Sequence, residues 1–372
     1  MSVIAGALAP AAYNVSMNES EQKQWIRQAH AEVDDLFARS PAIYWTDLLI
    51  SATVAWTATV AYFALPWGSP GQLIGLIVAG IAFYRAGTFM HEIIHMPRGE
   101  LTWFKRAWNL LVGIPLLMPW ILYRNHIEHH SRAHFGTPRD GEYLPLAAAP
   151  LRETFLYLLR IPILPLMALA RFGLAGPLSR FSPSFREWLL SRGSAYASNP
   201  FYRKRFPEKE RAHLETVEWL ALAWVLFWLA MTVFGPVEPA HWLMAWLLHG
   251  WTMALNWVRN LAAHGYARRG ETMSHLEQLE DSINITGQTW LTLWLFPVGL
   301  RYHALHHLFP GLPYHNMGQA HQRLMDRFGQ NSPYAVANHD NYFRVVATLF
   351  SRAAAVRPAE SAITNWRSGP AA

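Results

Sequence analysis

The 372-residue sequence predicts an all-α integral membrane protein whose core is four transmembrane helices in two hairpins. Three observations lead there. Charged residues make up only 15% of the chain against 52% hydrophobic, where a soluble protein of this size carries about a quarter charged. The 18 tryptophans are of the residue type that gathers where a bilayer meets water. Finally, two long stretches are almost free of charge, Leu48 to Tyr84 and the segment between Glu218 and Arg259, and each is broken near its middle by a turn rich in Pro and Gly.

The first stretch is split by "PWGSPG", residues 66–71, into two segments of about 18 residues, just long enough to span. The predicted spans are 48–66 and 71–89. The second stretch turns at "FGPVEPA", where Glu238 is its single charge, giving spans at 219–236 and 241–258. Neither turn holds Lys or Arg, whereas "RQAHAEVDDLFAR", "FKR" and "YRKRFPEKER" are basic-rich. The positive-inside rule therefore places the turns outside and both termini in the cytoplasm. Residues 1–46 read as a cytoplasmic N-terminal segment, 47–350 as the membrane domain, and the Ala-, Pro- and Ser-rich residues 351–372 as a loosely ordered tail. Residues 107–123, 151–180 and 282–300 are apolar but interrupted by prolines, arginines or polar starts. They are expected to lie in the interface or against the cytoplasmic domain, with a fifth span at 107–123 as the alternative. The opening "MSVIAGALAPAAYN" has no basic leader region and is not read as a signal peptide.

The net charge of +6 fits a cytoplasmic membrane face, and no nucleic-acid partner is expected. There are no cysteines, which excludes disulfides, thiolate nucleophiles and an in-chain iron–sulfur carrier.

Eight of the 18 histidines fall into three clusters: "HEIIH" (His91, His95), "HIEHH" (His126, His129, His130) and "HALHH" (His303, His306, His307). Positions i, i+3 and i+4 share one helical face, so each cluster is a patch of imidazoles pointing one way. Three such patches point to metal. Neutral imidazole suits iron, zinc, copper and nickel alike, and eight ligands exceed what one tetrahedral ion takes, so two ions are implied. Arg98, Lys105, Arg124 and Arg301 flank the clusters and put them at the cytoplasmic face, unlike the midplane sites of transporters. A hairpin crosses twice, so clusters before and after the second hairpin return to the same side.

This set of boxes, in this order and spacing, resembles the membrane fatty acid desaturase superfamily over roughly residues 40–330. The continuations "HFGTPRDGEYLP" and "LFPGLPYHN" are similar to its bacterial acyl-lipid or acyl-desaturating branches. The resemblance implies a cytoplasmic helical di-metal domain, two iron ions and the use of dioxygen. It also implies a ninth histidine ligand, His264 in "NLAAH", and a metal-bound water held by Asn260. The expected ligands are thus His91, His95, His126, His129, His130, His264, His303, His306 and His307, with no catalytic side chain beyond the metal site. His134, His275, His315 and His321 match no required position, and His249 is expected to bond a neighbouring helix.

The substrate implied is a long-chain fatty acid, presented as free acid, acyl thioester or lipid, with "WLTLWLF" and "IPLLMPWIL" as tunnel walls or plain lipid contacts. "YRKRF" would receive an anionic acyl carrier or meet anionic headgroups. Electrons must come from a ferredoxin- or cytochrome-type donor with its reductase, and the bacterial inner membrane is the expected location. Desaturation stands first. The alternatives are oxidative decarboxylation of a free fatty acid to a terminal alkene, or hydroxylation. Arg85, Arg124, Arg259 and Arg301, beside the clusters, are available to hold a carboxylate.

Overall fold

The structure, a computed structural model, describes residues 17–194, 199–204 and 206–369. The apolar opening stretch lies outside them. Helix α1 (Glu19–Val33) starts with a capping box in which Asn18 and Glu21 satisfy each other's backbone N–H groups. Helices α2 (Pro41–Ala64) and α3 (Pro70–His95) each begin with Pro at the first helical position, where its missing N–H costs nothing. They pack against each other as the first predicted hairpin. His95 ends α3, and His91 lies one turn before it.

Residues 107–123 form no spanning helix. A short helix runs to Trp108, a wider turn covers Asn109–Gly113, and Leu117 sits at φ +52° before a single tight turn at Trp120–Tyr123. Pro115 and Pro119 lack the N–H groups a continuous helix needs. The segment is instead pinned to the first hairpin: the buried Trp108 donates to Ala86 O at 2.7 Å, and Trp56 donates to Leu111 O at 3.0 Å. Beyond it comes the short α4 (Asn125–His129), and residues 151–180 form only brief helical pieces.

Helices α5 (Arg211–Val233) and α6 (Pro239–Asn260) stand where the second hairpin was expected. Three helices are long and apolar enough to cross a membrane, α2, α3 and the one ending at Val233. The 22 residues of α6 reach about 33 Å, but His241, His249 and Asn256 lower its apolarity. The pair is also splayed. Helix α6 packs on α3, whereas α5 leans on residues 171–175, and the two are tied near their turn by Trp242 donating to Thr232 Oγ1 at 2.9 Å.

The remaining residues build the metal-bearing side. Helix α7 (His275–Asp281) leads into a two-residue strand, β1 (Asn284–Ile285), which pairs in parallel with β2 (Asn338–His339), so the fold is not wholly helical. Residues 282–300 add only one seven-residue helix. Buried Asn284 accepts from Ala304 N and Leu305 N at 2.9 and 3.2 Å, capping the start of α8 (His303–Leu308) and fixing its rotation. Helix α9 (Met317–Phe328) completes a core in which Trp25, Ala29 and Val33 of α1 meet Leu305, Phe309 and Leu324.

The tail departs from the expectation of loose order. Helix α10 (Tyr342–Ala355) runs past Ser351, and α11 (Ile363–Ser368) buries Ile363 and Trp366. Trp366 donates to Tyr143 O at 3.0 Å, and Ala362 N donates to Ala148 O at 2.9 Å. Two apolar residues three apart on one helical face outweigh the polar composition around them. Trp366→Ala should therefore destabilise the protein by about 3–5 kcal/mol. The expected readout is a lower thermal-unfolding midpoint in detergent, and an unchanged midpoint would show that the tail contributes nothing.

Candidate metal centre

All nine expected histidines converge. One group joins His91 and His95 of α3 to His126 of α4 and His306 of α8; a second joins His129, His264, His303 and His307. His130, the C-cap of α4, completes the first: its Nε2 lies 3.0 Å from Nε2 of both His126 and His306. The other Nε2 pairs are similar, 3.4 Å for His126 and His306 and 3.0 Å for His303 and His264. Two imidazole nitrogens bound to one ion, each at about 2.0–2.1 Å, stand about 2.9–3.4 Å apart. The observed spacings match that edge length. Several ring nitrogens here, including Nε2 of His91, His95 and His307, are buried with no partner. The residues fit a pair of metal ions.

The helical spacing explains the division of labour. His126, His129 and His130 span little more than one turn, and the tilt between neighbouring positions sends His126 to the first group and His129 to the second. His303 and His306 on α8 are split the same way. His264 follows α6 in a turn held by the bridge between His264 and Ser282.

Carboxylates stand behind the rings. His126 Nδ1 lies 3.0 Å from Glu142, which also accepts from Tyr123 OH at 2.9 Å. His129 Nδ1 lies 2.8 Å from Asp140, itself fixed by the N–H groups of Gly136, Glu142 and Tyr143. His264 Nδ1 is 3.7 Å from Asp281 and 3.3 Å from Ser282 Oγ, and Asp281 accepts from Tyr143 OH. A carboxylate on Nδ1 keeps the proton there and leaves Nε2 as the bare donor. Burial holds His126, His130, His264, His303, His306 and His307 well below the usual imidazole range, so they present neutral lone pairs. His129 is the exception: burial acts against its charge, but Asp140 outweighs it and raises the ring. Burial likewise pushes Glu142 and Asp281 up to about 7. These acids were not among the residues singled out from the sequence, although Asp140 and Glu142 lie within the flagged "HFGTPRDGEYLP".

Other expectations resolve differently. His134, His315 and His321 make local contacts with Ser131, Asn316 and Tyr334. Lys204 of "YRKRF" is buried and donates to Leu122 O. Arg85 pairs with Asp47, Arg124 with Glu210, and Arg301 with the carbonyls of Ile285 and Thr286.

A cavity of about 240 Å³ reaches the first histidine group at His91; Tyr123, Glu142, Arg259 and Asn260 also line it. The backbone oxygen of Asn260 accepts from Tyr266 OH at 2.8 Å. A second cavity, about 250 Å³, lies between the splayed helices among Trp224, Trp228, Trp242 and Trp246. Both are walled by Phe83, Leu117 and His249. The "IPLLMPWIL" segment lines both; Leu293 and Trp294 of "WLTLWLF" face a different groove, on the outside of α2 and α3.

The fatty acid desaturase family profile matches residues 65–337. Among curated proteins, a ceramide hydroxylase of Caulobacter vibrioides is 36% identical over 88% of this chain and 93% of its own length. The chloroplastic omega-6 fatty acid desaturase of Arabidopsis thaliana is 23% identical over 86% of this chain and 65% of its own length. This chain belongs to the fatty acid desaturase family. It is an oxygen-dependent oxidoreductase with the family's histidine boxes, and its two histidine groups are consistent with the di-metal site typical of the family. The similarity to a hydroxylase at higher identity corrects the ranking that put desaturation first.

The carboxylates yield a prediction for this desaturase-family site. Asp140→Asn and Glu142→Gln should each weaken metal retention about 10–100-fold. Metal content after dialysis against a graded chelator series measures this, and retention equal to the unaltered protein would dismiss the proposed support role.

Proposed function

We propose that the chain is a di-iron hydroxylase acting on the acyl chain of a membrane lipid, with a ceramide-type N-acyl lipid as the substrate class. The observation that carries this reading is the 36% identity, over nearly the whole of both chains, to a protein named a ceramide hydroxylase. His91, His95, His126, His130 and His306 would hold one iron, and His129, His264, His303 and His307 the other. Asn260 would hold a water beside them. Irons in such a site, given dioxygen and two electrons, supply an oxidant for an unactivated C–H bond. One oxygen atom enters the chain as hydroxyl and the other leaves as water, with two protons taken up. With no cysteine in the sequence, the electrons come from a separate ferredoxin- or cytochrome-type partner.

The protein's own residues do the placing. Phe83, Leu117 and Met118 give the chain a dry wall beside His91, and the opening between α5 and α6 admits it sideways from the bilayer. Such placement decides whether a hydroxyl, a double bond or a decarboxylated alkene results.

In the membrane, α2, α3, α5 and α6 would all span, with both termini on the cytoplasmic side of the inner membrane. The absence of Lys and Arg from both short turns supports this. Accessibility labelling should find tags on Ser2 and Ala372 inside and a tag in the 66–71 turn outside; termini on opposite sides would rule out this topology.

For the reaction, cells expressing the protein with a deuterated fatty acid supplement should accumulate N-acyl lipid heavier by one oxygen. Purified protein should carry two irons per chain, and His129→Ala should lose iron and turnover together. An internal double bond without added oxygen would return desaturation to first place.

A further inference from the structure

Arg259, the penultimate residue of α6, is 7% exposed and has no carboxylate within salt-bridge distance among the described residues. Its Nη2 donates to Asn256 Oδ1 at 2.7 Å, and its Nε has no partner. Arg85, Arg124 and Arg301, the other arginines available to hold a carboxylate, are occupied by Asp47, by Glu210 and by backbone carbonyls. Arg171, on the same cavity, has Glu218 as its counter-ion. Arg259 alone of these faces the cavity with no carboxylate in ion-pair contact; Glu142 lines the same cavity and feels its charge at longer range, as do His264 and His303.

A buried guanidinium next to a site that will hold two cations is unfavourable unless something brings electron density to it. A pure hydrocarbon brings none. The planar fork of arginine suits a carboxylate or amide oxygen, and Asn256 adds an amide on the same cavity wall. We propose that Arg259, with Asn256, receives the acyl carbonyl oxygen of the substrate and so measures the site of attack from the carbonyl end. The methyl end then runs past Phe83, Leu117 and His249 into the tryptophan-lined cavity. This rests on the reading of the protein as an acyl-chain oxidase, and it adds the polar group by which the chain is held.

The test compares binding to the purified, metal-loaded full chain in detergent of three ligands of equal chain length. These are an N-acyl sphingoid amide, a free fatty acid and an alkane. The unaltered protein should bind one or both carbonyl compounds roughly tenfold to a hundredfold more tightly than the alkane. Binding of the amide alone identifies an amide-linked acyl group, and binding of the acid alone a carboxylate. Arg259→Gln should keep its metals and bind all three alike. Asn256→Leu, which spares the cation, should lose part of the preference and serves if the first variant does not fold. Product mapping adds a second readout: across chain lengths, the hydroxyl should stay at one position counted from the carbonyl, and that register should blur in Arg259→Gln. An unchanged carbonyl preference in both variants, loss of metals on Arg259→Gln, or a position constant from the methyl end would overturn the proposal. Carbonyl preference lost in Arg259→Gln, in a protein that oxidises neither compound, would uphold Arg259 while the hydroxylase reading fails.

Discussion

Everything on the metal-bearing side answers to one requirement: nine imidazoles from four separate parts of the chain must meet with their Nε2 atoms turned inward. Neutral, buried imidazoles gain little from one another. What holds them is the framework behind: Asp140 and Glu142 on the α4 rings, Asp281 beside His264, and Asn284 capping α8. Glu142 and Asp281, raised to about 7, would also place negative charge just outside the rings when ionised, where it would offset the positive charge of bound ions. A carboxylate would be hard to bury here without its hydrogen-bond donors, which the backbone of residues 136–143 and the hydroxyls of Tyr123 and Tyr143 supply.

The ligands were legible because helical periodicity is a strong signal and three boxes repeat it. His264 was legible only through resemblance, since a single histidine after a helix carries no pattern. Asp140 and Glu142 escaped because they sit in an irregular loop, where spacing says nothing about which side chain will face which, and Asp281 because a lone acid at the end of α7 carries no pattern. Lys204 shows a related limit: a charge within a basic run reads as surface, yet this one threads inward to Leu122 O. The tail misled for the opposite reason, its Ala- and Pro-rich composition masking the anchors Ile363 and Trp366. Desaturation and hydroxylation share the same ligand set, so no box could separate them.

The membrane side shows how apolar sequence understates geometry. Both predicted hairpins have suitable length and turn chemistry, but only the first closes tightly. The large indole rings on α5 and α6 keep those helices apart and leave the cavity between them. Hydropathy reports that both faces prefer lipid; it cannot report that they avoid each other. The cavity in that gap shares Phe83, Leu117 and His249 as a common wall with the cavity that reaches His91.

The distance along the chain between partners in the first histidine group has a consequence for biogenesis. His126 and His306 are separated by 180 residues, with α5 and α6 between them. The first two boxes leave the ribosome long before the third, so neither histidine group is complete until α5, α6 and α8 have been made. Completion of both metal sites is thus a late event in the life of the nascent polypeptide, after four of the five histidines of the first group have long been made.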